Sequence, residues 1–170
     1  MNANITLLTP DFGLVYARAQ GVRRSGAKLA SALATFAESE LILVRGTEQW
    51  RIVGAVLNHN WIFQIPNQQA RARAVRVCGF LLRLLAGETR DAGLFGILHG
   101  FFEALSVLPE DKHEAAEALA VLRILAALGL DTGEISGTMS EYTSSIIADS
   151  IKNRAQYITR INRGIAASGL

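Results

Sequence analysis

Ser39–Leu57 reads SELILVRGTEQWRIVGAVL, and this stretch decides the fold class of the first third of the chain. Leu41–Arg45 is strand-forming, Gly46-Thr47 supplies turn chemistry, and Gln49–Leu57 alternates around Trp50, Ile52 and Gly54. Apolar, β-rich runs on both sides of a glycine turn predict a β-hairpin. Upstream, NITLLT (Asn4–Thr9) reads as another strand, closed by the turn residues Pro10-Asp11-Phe12-Gly13. The following GLVYARAQ places Leu14, Tyr16, Arg18 and Gln20 on one face and Val15, Ala17 and Ala19 on the other. LASALATF (Leu29–Phe36) is a short helical connector. Four strands with no obvious parallel crossover predict a small antiparallel barrel or sheet.

From Asn67 the apolar period becomes helical. Pro66-Asn67 starts a helix carrying Val75, Val77, Cys78, Leu81, Leu82 and Leu85 and ending at Gly87. A second spans about 91–107 through Leu94, Phe95, Leu98, Phe101, Phe102 and Leu105. A third opens at Pro109-Glu110-Asp111, its acids placed where the helix dipole favours them, and ends at Gly129. After the polar loop DTGEISGTMS (131–140), one long helix of about 143–166 carries Ile147, Ile151, Ile158, Ile161 and Ile165 with a basic opposite face. The expected architecture is α+β: a small β domain over residues 1–60 and an all-α domain over 61–170, with the break near NHNWIFQIP (58–66).

The 170 residues are half hydrophobic and 19% charged, with a formal net charge of +2. That is a globular composition with a mild basic bias. The distribution of charge says more. Residues 1–60 hold six Lys/Arg against four acids, 71–90 hold five arginines against Glu88, and 109–141 hold seven acids against Lys112 and Arg123. Cys78 is the only cysteine, which excludes an intrachain disulfide or a thiolate zinc cluster and fits a reducing cytoplasm. No apolar run reaches the roughly 18 residues of a membrane span, and the N-terminus does not have the pattern of a secretory signal.

Catalytic constellations are hard to find. His59, His99 and His113 are scattered, and His99 on an apolar helix reads as a hydrogen-bonded structural histidine. Cys78 sits beside Val77 and Leu81 and reads as an inert buried thiol. Asp11-Phe12-Gly13 is a turn between strands. GVRRSGAK (Gly21–Lys28) has the glycine spacing of a P-loop, but Ala27 separates Gly26 from Lys28 and Leu29 replaces the metal-binding hydroxyl. Two arginines inside the loop suit the backbone of a polymer better. With Arg18, and Arg45 or Arg51, on a neighbouring sheet face, Arg23, Arg24 and Lys28 would make a cationic patch for nucleic acid. Tyr16 and Trp50 would offer stacking surfaces for bases; the other reading makes Trp50 core and the arginines a solvated rim. The other reading is a non-enzymatic interaction module whose basic helices dock an acidic partner.

ITLLTPDFGLVYARAQGVRRSGAKLASALATFAESELILVRG (5–46) resembles the N-terminal half of the bacterial recombination mediator RecO family. The shared features are Leu8-Thr9, Asp11 with Gly13, Gly21-Val22-Arg23-Arg24, Lys28, Leu33 with Phe36, and the strand Leu41–Gly46. Over 67–130 only the helical pattern and LAALGL match. The resemblance implies an OB-fold-like β-barrel followed by helices, binding single- and double-stranded DNA and annealing complementary strands. It also implies recognition of the single-strand-binding protein's acidic tail and, with RecR, loading of RecA. It implies no turnover, no nucleotide and no other cofactor. The family's basic-loop DNA contact carries over to Arg23, Arg24 and Lys28. Two departures stand out. The family's strand before "LT" is expected to be missing here, so that either the true start lies upstream or the barrel has an open edge, and the zinc cluster of some members has no counterpart in DTGEISGTMS. In EALAVLRILAALGL (117–130) of the third helix Arg123 is the only cation, so tail-binding arginines do not transfer. The candidate DNA-contacting residues are Arg18, Arg23, Arg24, Lys28, Arg45 and Arg51.

Overall fold

The computed structural model describes residues 3–19, 27–47, 49–85, 91 and 93–170, with only the backbone of 27 and 28. Strands β1 (Ala3–Thr9), β2 (Gly13–Ala19), β3 (Ala37–Arg45) and β4 (Trp50–Asn60) form one sheet in the order β1-β2-β4-β3. β1–β2 and β3–β4 are the two antiparallel hairpins that the turn residues predict. In the first, Gly13 takes a left-handed φ of 66°, and Thr9 Oγ1 donates to the Gly13 carbonyl while accepting from Phe12 N–H. The all-antiparallel expectation is corrected at the centre. β2 and β4 run parallel, paired only at Ala17–Trp50, Arg18–Arg51 and Ala19–Ile52. The connection through α1 (Ala27–Ala32) and β3 brings β4 back in the direction of β2.

The inner face of the sheet buries Ala17, Ala19 and Ile52, with Ile5, Leu7, Leu41, Leu43 and Trp50 around them and Leu33 packed against them. A larger core lies among α3 (Gln68–Leu84), α4 (Gly93–Val107), α5 (His113–Ala127), α6 (Ser144–Lys152) and α7 (Arg154–Ser168). Leu14 of β2 and Trp61 of the one-turn α2 (Trp61–Gln64) belong to that same core, so sheet and helices share apolar contacts. At the junction Glu38 accepts hydrogen bonds from Trp61 Nε1 at 3.0 Å and His99 Nδ1 at 2.9 Å. His99 thus has the structural partner its apolar helix implied. Phe36, at a φ of 61° that bulky residues rarely adopt, accepts a hydrogen bond from Trp61 N–H at its carbonyl and packs edge-on against Phe102.

α3 begins where Asn67 predicts, its side chain accepting from Ala70 N–H. Val75 and Leu82, read as part of its apolar face, point to solvent instead. α5 is the hub: Ala116, Leu119, Ala120, Leu122, Ile124 and Leu125 are all fully buried. The single last helix is corrected to two. α6 ends and α7 begins at Asn153, whose side-chain amide donates to the carbonyl and carboxylate of Asp149. Such side-chain bonds to nearby backbone compete with a continuous helix.

The loop between α5 and α6 is held from inside. Arg123 is completely buried and donates from Nη1 to the carbonyls of Met139 and Glu141 and from Nη2 to that of Ser136. Its guanidinium also lies 4.6 Å from the ring centroid of buried Tyr142.

Candidate nucleic-acid interface

β2 and β4 bring two of the predicted cations together. Arg18 and Arg51 are register partners in the parallel pair, so their side chains leave the same face of the sheet. That face is the outer one, because their neighbours Ala17, Ala19 and Ile52 are buried on the inner side. Tyr16, two residues before Arg18, shares the outer face and is exposed. Neither guanidinium has a carboxylate partner among the described residues. Like charges side by side in a sheet are destabilising unless something else compensates them.

Arg45 goes elsewhere. It pairs in register with Trp50, on the inner side with Leu43 and Ile52, and its guanidinium lies over the Trp50 ring at 5.0 Å. Phe12 meets the same indole at 5.4 Å. Trp50 is therefore half-buried at the rim of the small core, while Tyr16 is the aromatic that the outer face offers. Arg23 and Arg24 lie outside the described residues, as does the Lys28 side chain.

The helical cations meet the chain's own acids. Arg73 and Arg76 of α3 both bond Glu117 of α5, the latter at 2.7 and 3.0 Å. Arg154 donates to Glu114 at 2.6 Å, and Arg71 donates to the Ile65 carbonyl. Arg160 clasps Asp131 through Nε at 3.0 Å and Nη2 at 2.6 Å and reaches the Glu134 carbonyl with Nη1. Four of the helical arginines thus share three carboxylates, Glu114, Glu117 and Asp131, of the acidic segment between them.

The hydrogen-bonded Arg160 guanidinium holds the Asp131 carboxyl below its ordinary value. A depressed carboxylate contributes stability above its unfolded pKa and loses it as pH falls through the folded one. Asp131→Asn is expected to lower the unfolding midpoint at about pH 7 and to leave the variant and wild type alike near about pH 2, as read by thermal melts across a pH series.

Cys78 is mostly enclosed, and burial pushes its thiol up to about 12, so it stays protonated and unreactive at neutral pH. Two adjoining concavities of about 500 Å³ each lie between residues 129–136 and α6–α7, with Gly133, Gln156 and Arg160 common to both. Among the described residues no group of three or more His, Cys, Asp or Glu is placed to hold a metal ion. No described helix is long and apolar enough to cross a membrane.

No protein-family model matches the chain. It is similar to the protein named DNA repair protein RecO of Dehalococcoides mccartyi strain 195, with 30% identity over 101 residues, 59% of this chain. The protein of the same name from strain BAV1 matches over the same length at the same identity. The chain spans about 40% of the length of these curated relatives.

Proposed function

We propose that this chain is a non-catalytic, nucleic-acid-binding protein of recombinational DNA repair, related to RecO. The observation that carries this reading is the Arg18–Arg51 pair, two adjacent cations without a counter-ion among the described residues, beside exposed Tyr16. A polyanion with bases supplies both missing partners. Similarity to two proteins named for DNA repair supports the biological setting. The strand order β1-β2-β4-β3 with its central parallel pair supports reading the sheet as part of an OB-type barrel. In the finer form of the proposal the protein anneals single strands and, with RecR, helps RecA displace single-strand-binding protein in the cytoplasm. In this reading Arg23, Arg24 and Lys28 supply further phosphate contacts, and Arg45 braces Trp50 at the rim of the sheet.

The rival, an acidic-partner module acting through basic helices, loses support because Arg73, Arg76, Arg154 and Arg160 are already paired within the chain. Fluorescence anisotropy of a labelled single-stranded oligonucleotide across a salt series separates the two. Neutralising Arg23, Arg24 and Lys28 together should lower the log–log salt slope by about two units, at roughly 0.7 per phosphate contact. An unchanged slope removes the loop from the interface. Saturable binding of an acidic peptide with no DNA binding at moderate salt would favour the rival.

A further inference from the structure

The outer face of the β3–β4 hairpin should be polar, since the inner face already supplies the core. It is aliphatic. Ile42 and Val56 are each 64% exposed, Val53 is 61% exposed and Val44 is 40% exposed. The register places them together. Glu40 pairs with Val56, Ile42 with Gly54 and Val44 with Arg51, while Val53 is the extra residue of a bulge between the last two pairs. Ile42 lies across Gly54, where an added Cβ would come within 3.2 Å of its Cδ1. The row is continuous with Arg51 and, through Arg51, with Arg18.

An aliphatic strip fused to an arginine pair that has no counter-ion among the described residues is an amphipathic surface, and its ligand must be amphipathic in the same sense. Duplex DNA presents phosphates outward and keeps its base faces stacked inside. A single strand presents phosphates on one side and apolar base faces on the other. From Val56, opposite Glu40, to Val44 the strip runs about 13 Å at about 3.3 Å per residue. RNA-recognition sheets seat two or three bases on aromatic side chains across a face of similar size; here aliphatic side chains would pack against the base faces instead. We infer that Ile42, Val44, Val53 and Val56 form the base-contacting half of the interface and give this chain its preference for single-stranded over double-stranded nucleic acid. The inference rests on the nucleic-acid reading above, with Arg18 and Arg51 holding the phosphates. The bulge at Val53 turns one more aliphatic group outward than a regular ladder would.

The test is the triple variant Ile42→Thr, Val53→Thr, Val56→Thr. Threonine keeps β-branching and nearly the same shape, so the exposed strands retain their propensity. Affinity for a labelled single strand should fall about tenfold, from lost apolar contact, with the salt slope unchanged. Affinity for the corresponding duplex should not move. Conversely, Val53→Tyr should tighten single-strand binding several-fold through stacking. Equal losses on both DNAs or no loss would overturn the inference while leaving the arginine contact intact, and a changed slope would overturn it by showing that the variant disturbs the phosphate contacts. A wild-type dimer seen by sedimentation without DNA, and abolished in the triple variant, would assign the strip to a second copy instead. Failure of the wild-type chain to bind any single strand would sink the nucleic-acid reading and this inference with it.

Discussion

Replacing Arg123 with alanine should lower the unfolding midpoint by roughly 10 °C, corresponding to a loss of about 3 kcal/mol in a chain of this size. The guanidinium is fully buried and, among the described residues, no acid pairs with it; its hydrogen bonds go to the carbonyls of Ser136, Met139 and Glu141. Burying a charge is costly, and the alanine variant removes that cost. It also strips three carbonyls of their donor, leaves a cavity beside Tyr142 and ends the cation–π contact at 4.6 Å. The losses outweigh the relief because several groups depend on one side chain. Arg123→Lys separates charge from geometry: an ammonium on a single atom cannot span three acceptors held by a planar fork. It should recover less than half of the lost midpoint. Circular-dichroism melts measure this, and limited proteolysis should show cleavage within residues 136–141 appearing in both variants. A variant melting within about 2 °C of wild type would show the loop to be held by other contacts.

Arg123 also shows where the sequence stops being legible. A lone cation on an apolar helix can be inert, functional or structural, and three acceptors from a loop of polar residues give no periodic signal. The hairpins were readable because Gly13 and Gly46 stand between β-rich runs. The face of each arginine was less so. Arg18 and Arg51 alternate with buried Ala17, Ala19 and Ile52, which marks them as outward. Arg45 follows Leu41–Val44, apolar at every position, and a run without alternation cannot say which side is in. Only register with Trp50 places it inward. Likewise Glu114 and Glu117 meet arginines 40 and 41 positions away, a separation no local pattern encodes. The apolar outer row was hidden in the same unalternating run.

Arg51→Glu should raise thermal stability slightly while weakening single-strand binding tenfold or more, and these opposite signs are the sharpest test of the interface. In the wild-type chain Arg18 and Arg51 face each other across the parallel pair as like charges. One reversal converts that pair into a cross-strand ion pair, worth roughly 0.2–1 kcal/mol at an exposed site. The midpoint should rise by about 1–2 °C. The same change removes one phosphate contact and adds a charge that repels the next phosphate. Reversing both arginines restores a like-charged pair, now of acids. Stability should then return close to wild type, while affinity falls by about two orders of magnitude and the salt slope by at least about 1.4. Misfolding cannot imitate this series, since it would lose stability and binding together. Arg76→Glu is the control: its partner is Glu117, so the variant should lose stability and keep its DNA affinity. If Arg51→Glu binds single strands as wild type does, the pair is a tolerated electrostatic defect and the outer face has no nucleic-acid ligand.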